Sequence, residues 1–120
     1  MSKGLRDADY LMHILDAIGR IHRYTSSIDE SGFLSDELTQ DGVIRNLEVV
    51  GEAVTKLSPE LKIRYADVPW GEIAGMRNRL IHAYMSVNLE IVWDTVQKII
   101  PTFSAKVLSI QRDLERPAAS

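Results

Sequence analysis

Apolar residues recur at three- and four-residue steps along almost the whole chain, and nowhere does the strict alternation of a half-buried strand replace that period. Leu5, Ala8, Leu11, Leu15, Ile18, Ile21 and Ile28 form the first such run. Val43, Leu47, Val50, Val54 and Leu57 step by 4, 3, 4 and 3 in the second, a heptad-like seam suited to near-antiparallel packing. Leu89, Val92, Trp93, Val96, Ile99 and Ile100 open a third, which Phe103, Val107, Ile110 and Leu114 continue. A face repeating every 3.6 residues buries itself only as a helix against other helices. The period therefore predicts an all-α, up-and-down bundle.

Breaks and caps divide that pattern into four long helices and one short one. Ser31-Gly32 reads as a break, with Phe33-Leu34 plugging the core below it. Ser35, followed by Asp36 and Glu37, reads as the start of a helix reaching about Leu57. Ser58-Pro59-Glu60 is an N-cap followed by a first-turn proline, opening a short helix to about Tyr65. Pro69 pre-sets the entry to a helix over 70–85, with Trp70 against a neighbouring helix, and Asn88 caps the next. Pro101 removes one backbone hydrogen bond, so it should kink that helix without ending it, because the apolar period resumes beyond it. Residues 1–116 form one domain, and 117–120, which lack periodicity, should fray.

Composition narrows the function. The chain has no cysteine, which excludes thiolate metal sites and a disulfide framework and fits a cytoplasmic protein. No apolar segment approaches the roughly 20 residues that span a bilayer, so no membrane role is expected. With 14 Lys+Arg against 17 Asp+Glu, the net charge of −3 argues against general nucleic-acid coating by counterion release. A local basic site remains, since 76–84 holds Arg77 and Arg79 and no acid. Arg45, Glu48 and Glu52 share helical spacing and should pair on a surface. His13 and His22, nine residues apart, lack the spacing of a helical metal pair and read as solvent-facing or capping.

Chemistry concentrates between Pro69 and Tyr84. Setting Arg77 at zero on a helical wheel places Asn78 at about 100°, His82 at about 140° and Gly75 at about 160°, with Tyr84 at about 340°. Asn78 and His82 thus share a face, and Tyr84 lies below Arg77. Gly71 and Gly75 each cost a helix roughly 1 kcal/mol relative to alanine, which a closely approaching neighbour would explain. The same glycines fit tight helix packing, and the histidine fits a structural hydrogen bond. A phosphate loop, a His-Glu-x-x-His pair and a nucleophile elbow are all absent from the sequence. Acid–base chemistry stays open, because histidine exchanges protons near neutrality and arginine grips phosphate through paired hydrogen bonds. One protomer offers a single histidine here, whereas a two-fold dimer would offer an acid and a base.

The run Arg77-Asn78-Arg79-Leu80-Ile81-His82-Ala83-Tyr84 resembles the Arg-x4-His-x-Tyr motif of HepT-like toxins in the HEPN superfamily. Arg45-Asn46-Leu47-Glu48-Val49-Val50-Gly51-Glu52-Ala53 is similar to that family's second recurrent segment, and Pro69-Trp70 through Val92-Trp93 follows its order and spacing. The resemblance covers roughly residues 5–115. It implies a HEPN-like bundle that dimerises around a composite cleft and cuts RNA without metal or cofactor. It further implies Arg77 and His82 as the catalytic pair, with Asn78 and Tyr84 orienting the phosphate. Tyr84 would also accept adenylyl groups from an antitoxin of nucleotidyltransferase fold. The alternative is a non-catalytic helical subunit that docks onto such a nucleotidyltransferase, which the net charge of −3 slightly favours.

Overall fold

The structure is a computed structural model that describes the backbone of residues 3–82 and 88–116 and the side chains of 6–76, 78–79 and 88–116. The predicted fraying of 117–120 and the motif residue Tyr84 lie outside the described residues. Among those described, every element is helical: α1 (Lys3–Thr25), α2 (Glu30–Leu34), α3 (Glu37–Lys56), α4 (Pro59–Arg64), α5 (Trp70–His82), α6 (Leu89–Asp94) and α7 (Ile100–Glu115). A π-helical turn over Thr95–Ile99 joins α6 to α7, so 89–115 is one continuous helical path. The all-α bundle is thus the observed fold. None of the described helices is long and apolar enough to cross a membrane.

The core is the apolar period made physical. Leu11 and Ile14 of α1 and Val43, Leu47, Val50 and Val54 of α3 have no exposed surface. α3 packs between α1 and α5, and α1 packs on α7. Two polar ties lock α1 antiparallel to α3. Asp7, 5% exposed, accepts from both the backbone N–H and the hydroxyl of Ser58 at 2.8 and 2.6 Å. Near the other end the Arg20 Nε donates to the Asn46 Oδ1 at 2.7 Å, and the Asn46 Nδ2 donates to the Gly42 carbonyl at 2.8 Å. Buried polar atoms satisfied this way fix register as well as stability, because slipping the pair would orphan them.

The local signals behave as their chemistry dictates, with three differences. Ser58 caps α4, with Pro59 in its first turn, and Asn88 caps α6 by accepting from the N–H groups of Glu90 and Ile91. Trp70 is buried; its indole donates to the Tyr65 carbonyl at 3.1 Å and its ring meets Phe103 edge-on at 5.9 Å. Ser31-Gly32, however, lies inside the short helix α2, because Asp29 accepts the Gly32 N–H and supplies the cap. Phe33 does plug the core against Trp93, with ring centroids 5.4 Å apart, while Leu34 is left 37% exposed. The cap of α3 is Asp36 and not Ser35, since its carboxylate accepts from both the N–H and the hydroxyl of Thr39.

The third difference concerns Pro101. The helix does pass it, but the accommodation comes before the ring, where the Ile100 N–H donates to the Thr95 carbonyl in the wider i→i−5 pattern. Proline has no N–H for residue 97 and crowds its carbonyl; the wider turn takes up that mismatch while keeping Val96 and Ile100 in the core.

Candidate functional site

α5 is positioned by three buried residues, Trp70, Ile73 and Met76, which are 7%, 1% and 3% exposed and pack toward α3 and the core. The opposite stripe is open. Gly71 and Asn78 are exposed and Gly75 half-buried, and a Cβ at either glycine would meet no atom within 4 Å. Among the described residues, none packs closely on either glycine. Helical steps of 4, 3 and 4 carry the stripe 71, 75, 78 on to position 82, the last described residue of the helix. The backbone thus sets Asn78 and His82 on one outward register, in line with both glycines. Position 77 is one turn beyond buried Ile73, about 40° from it, and so belongs to a different register.

Asn78 and Arg79 are the two motif residues whose side chains are described, and both face solvent. Tyr84 and the side chains of Arg77 and His82 lie outside the described residues. The helical placement of Arg77, Asn78 and His82 is what the structure supplies, together with an unobstructed approach along the glycine side.

An open groove of about 370 Å³ lies between α1 and α3, lined by Tyr10, His13, Arg45, Glu48, Glu52 and Lys56 among others. His13 is exposed, as its sequence spacing suggested, but it shares a groove with charged residues of α3. Glu52 forms an exposed ion pair with Lys56, 3.8 Å apart and both about half exposed. Among the described residues, no three histidines or acids gather as a metal would require.

Two functional details escaped the sequence reading. Asn46, in the segment that runs from Arg45 to Ala53, is 6% exposed and serves as the polar lock to α1. Asp7 occupies a core position of the first apolar run, four residues before Leu11. An acid at an apolar register was the available signal for a buried tie.

A small helical bundle with a polar motif on an open helix face is the class that fold and site define. The comparisons place it more narrowly. A family model described as "Ribonuclease HepT-like" matches residues 14–110. The chain is 39% identical over 104 residues to the "Probable ribonuclease HepT" of Thermococcus cleftensis, covering 87% of this chain and 94% of that one. It is 40% identical over 101 residues to a "Putative RNase" of Caldanaerobacter subterraneus, covering 84% and 90%. It is also 39% identical over 107 residues to a Methanocaldococcus jannaschii protein named "Gamma-glutamylcyclotransferase and putative RNase", where it covers 89% of this chain but spans only 48% of that longer protein. No solved structure gives a significant match. The chain belongs to the HepT-like ribonuclease family.

Proposed function

We propose that this protein is a metal-independent endoribonuclease toxin whose active site is completed across a homodimer. Family membership supports the RNase class, and the observation that carries the dimeric reading is the open glycine stripe. Two residues that weaken a helix stand in register with Asn78 and His82, and no described atom lies within 4 Å of a Cβ placed on either. A second copy is the neighbour that would give them a purpose.

In that cleft the two histidines divide the work. His82 of one protomer takes the proton from a ribose 2′-hydroxyl, whose oxygen attacks the adjacent phosphorus. The bond from phosphorus to the 5′-oxygen breaks, and the partner's His82 protonates that oxygen as it leaves. The products are a 2′,3′-cyclic phosphate and a free 5′-hydroxyl. Arg77 offsets the charge that grows on the equatorial phosphate oxygens, the general route by which preorganised cations lower such barriers. Asn78 and Tyr84 orient the phosphate. Regulation follows from Tyr84: a nucleotidyltransferase-fold antitoxin that adenylylates it would place bulk and negative charge in the RNA path. The net charge of −3 means that RNA affinity must come from the cleft itself.

The test is cleavage of RNA by purified protein in the presence of a chelator, with the product ends analysed. Cyclic phosphate ends, and loss of at least a hundredfold in rate for His82→Ala and Arg77→Ala with unchanged circular dichroism, are expected. RNA left intact at high protein concentration would favour the non-catalytic docking subunit. Cleavage undiminished in both variants would remove these residues from the mechanism.

A further inference from the structure

Position 82 has a second arginine beside it, one that the Arg77 and His82 pair does not include. With Arg77 at zero, buried Trp70, Ile73 and Met76 fall at about 20°, 320° and 260° around α5. The buried arc is centred near 320°, so the direction straight out of the bundle is about 140°, where position 82 falls. Arg79 falls at about 200°, which is about 60° round the helix from position 82 and about 4.5 Å along its axis. Position 77 is about 140° from position 82 and only about 40° from the centre of the buried arc. The arginine that shares the open side of α5 with position 82 is therefore Arg79.

Its surroundings leave that guanidinium uncommitted. Lys56, Lys98, Lys106 and Arg116 each have a carboxylate at 3.5 to 3.8 Å. Arg79 is exposed, and among the described residues no ion pair or side-chain hydrogen bond holds it. The sequence carries no acid from Ile73 to Leu89, so the neighbouring stretch offers it no carboxylate. Glu72 lies on the same side of the helix but about 10.5 Å away along the axis, beyond the Debye length of about 8 Å at physiological salt. Helical side chains ordinarily lean back over the preceding turn. The preceding turn here holds Gly75, and no atom of Arg79 comes within 4 Å of a Cβ placed there. The side chain is not laid down along α5, and its donors face outward.

From this we infer that Arg79 binds the RNA strand at the phosphate next to the scissile one. A strand whose scissile phosphate sits at His82 continues past it with further phosphates, and an arginine a few ångströms away on the same open side meets the adjacent one. A guanidinium suits that task, because its planar fork grips two phosphate oxygens through parallel hydrogen bonds. The contact is remote from the breaking bond, so it holds the substrate without entering the chemistry. It also supplies what the composition withholds: a chain at −3 has little diffuse attraction for RNA, so each local phosphate contact counts. The substrate class follows. A strand must carry at least two consecutive phosphodiesters to engage both His82 and Arg79, which makes a trinucleotide the shortest full ligand. The inference rests on the ribonuclease reading for the identity of that ligand.

The test uses the full chain and two readouts. A 2′-O-methyl oligoribonucleotide, which has no hydroxyl to attack phosphorus, is titrated by fluorescence anisotropy at rising KCl. Arg79→Gln should weaken its binding about tenfold, the size of one lost charge-assisted contact, and lower the slope of log Kd against log salt by about 0.7. Arg79→Lys should recover most of that slope. Arg112→Gln, the same loss of charge at an exposed position of α7, should leave affinity and slope as in wild type. In cleavage, Arg79→Gln should raise KM about tenfold on a hexanucleotide, while a dinucleoside monophosphate, which has no second phosphate, is cut as by wild type. The inference is overturned if the wild type does not bind the oligonucleotide, if Arg79→Gln keeps the wild-type slope, or if Arg112→Gln loses as much. It is also overturned if Arg79→Gln loses as much on the dinucleoside monophosphate as on the hexanucleotide. The binding readout decides Arg79 whether or not the wild type cuts RNA, so a failure of the ribonuclease reading is told apart from a failure here.

Discussion

The pair α1/α3 and the outer stripe of α5 are both read from helical periodicity, yet they are opposite in kind. Between α1 and α3 the polar groups are met within the same chain, from the Asp7 carboxylate on Ser58 to Arg20 on Asn46, and among the described residues no buried side-chain nitrogen or oxygen lacks a partner. Along α5 the stripe of Gly71, Gly75 and Asn78 has open space before it. The first region is self-sufficient and sets the fold. The second gives up helix stability without compensation from the described residues of the protomer, which is the pattern expected where a site depends on something arriving from outside.

That contrast is broken most directly from the locked side. Leu47 lies in the α3 seam with no exposed surface. Leu47→Ala removes three buried carbons and leaves a cavity, at a cost of about 3 kcal/mol. Urea unfolding should show the loss as a lower midpoint with an unchanged slope. Retention of wild-type stability would mean that α1 and α3 are not the foundation of the bundle.

Gly75→Leu sharpens the open side because its two effects have opposite signs. Leucine is favoured over glycine by nearly 1 kcal/mol in a helix interior, and a Cβ at position 75 meets no atom within 4 Å. The melting temperature at low protein concentration should rise by about 4 °C, while RNA cleavage and the α5-mediated dimer weaken. A variant that is both more stable and fully active and dimeric would strip the glycine of its proposed role. A fall in stability would show that position 75 is not open.

How much of this was legible beforehand depended on whether a residue's role is local. Ser58-Pro59, Asn88 and the Val43 to Leu57 seam act within a turn or two of helix, and the chain order alone carries them. Asp29 could have signalled α2, but the glycine three residues on reads as a breaker until the cap that uses its N–H is recognised. The π-helical turn before Pro101 escaped because it resolves a conflict between the proline and the core register of Val96 and Ile100, and that register belongs to the assembled bundle. The site divides the same way. That Asn78 and His82 share a register with Gly71 and Gly75 follows from the helical period. That this register points away from the core could be fixed only once Ile73 and Met76 were seen buried.

The smallest effect concerns a tie from the locked side to α7. The Tyr65 hydroxyl donates to Asp113 Oδ2 at 3.1 Å. Partial burial, and then the hydrogen bond to Asp113, raise its pKa above the ordinary tyrosine value of 10.0. Since the folded protein holds this proton more tightly than the unfolded chain, the associated stability is fully present below about pH 10. It is lost as pH rises through the higher folded value. Tyr65→Phe removes the group, so unfolding midpoints measured from pH 8 to 11 should fall less steeply with pH than those of wild type. The two curves should converge at the alkaline end. Parallel curves would mean that Tyr65 titrates alike in both states, and that α4 is joined to α7 by packing and the neighbouring Lys106–Asp67 pair, 3.5 Å apart, without help from this hydroxyl.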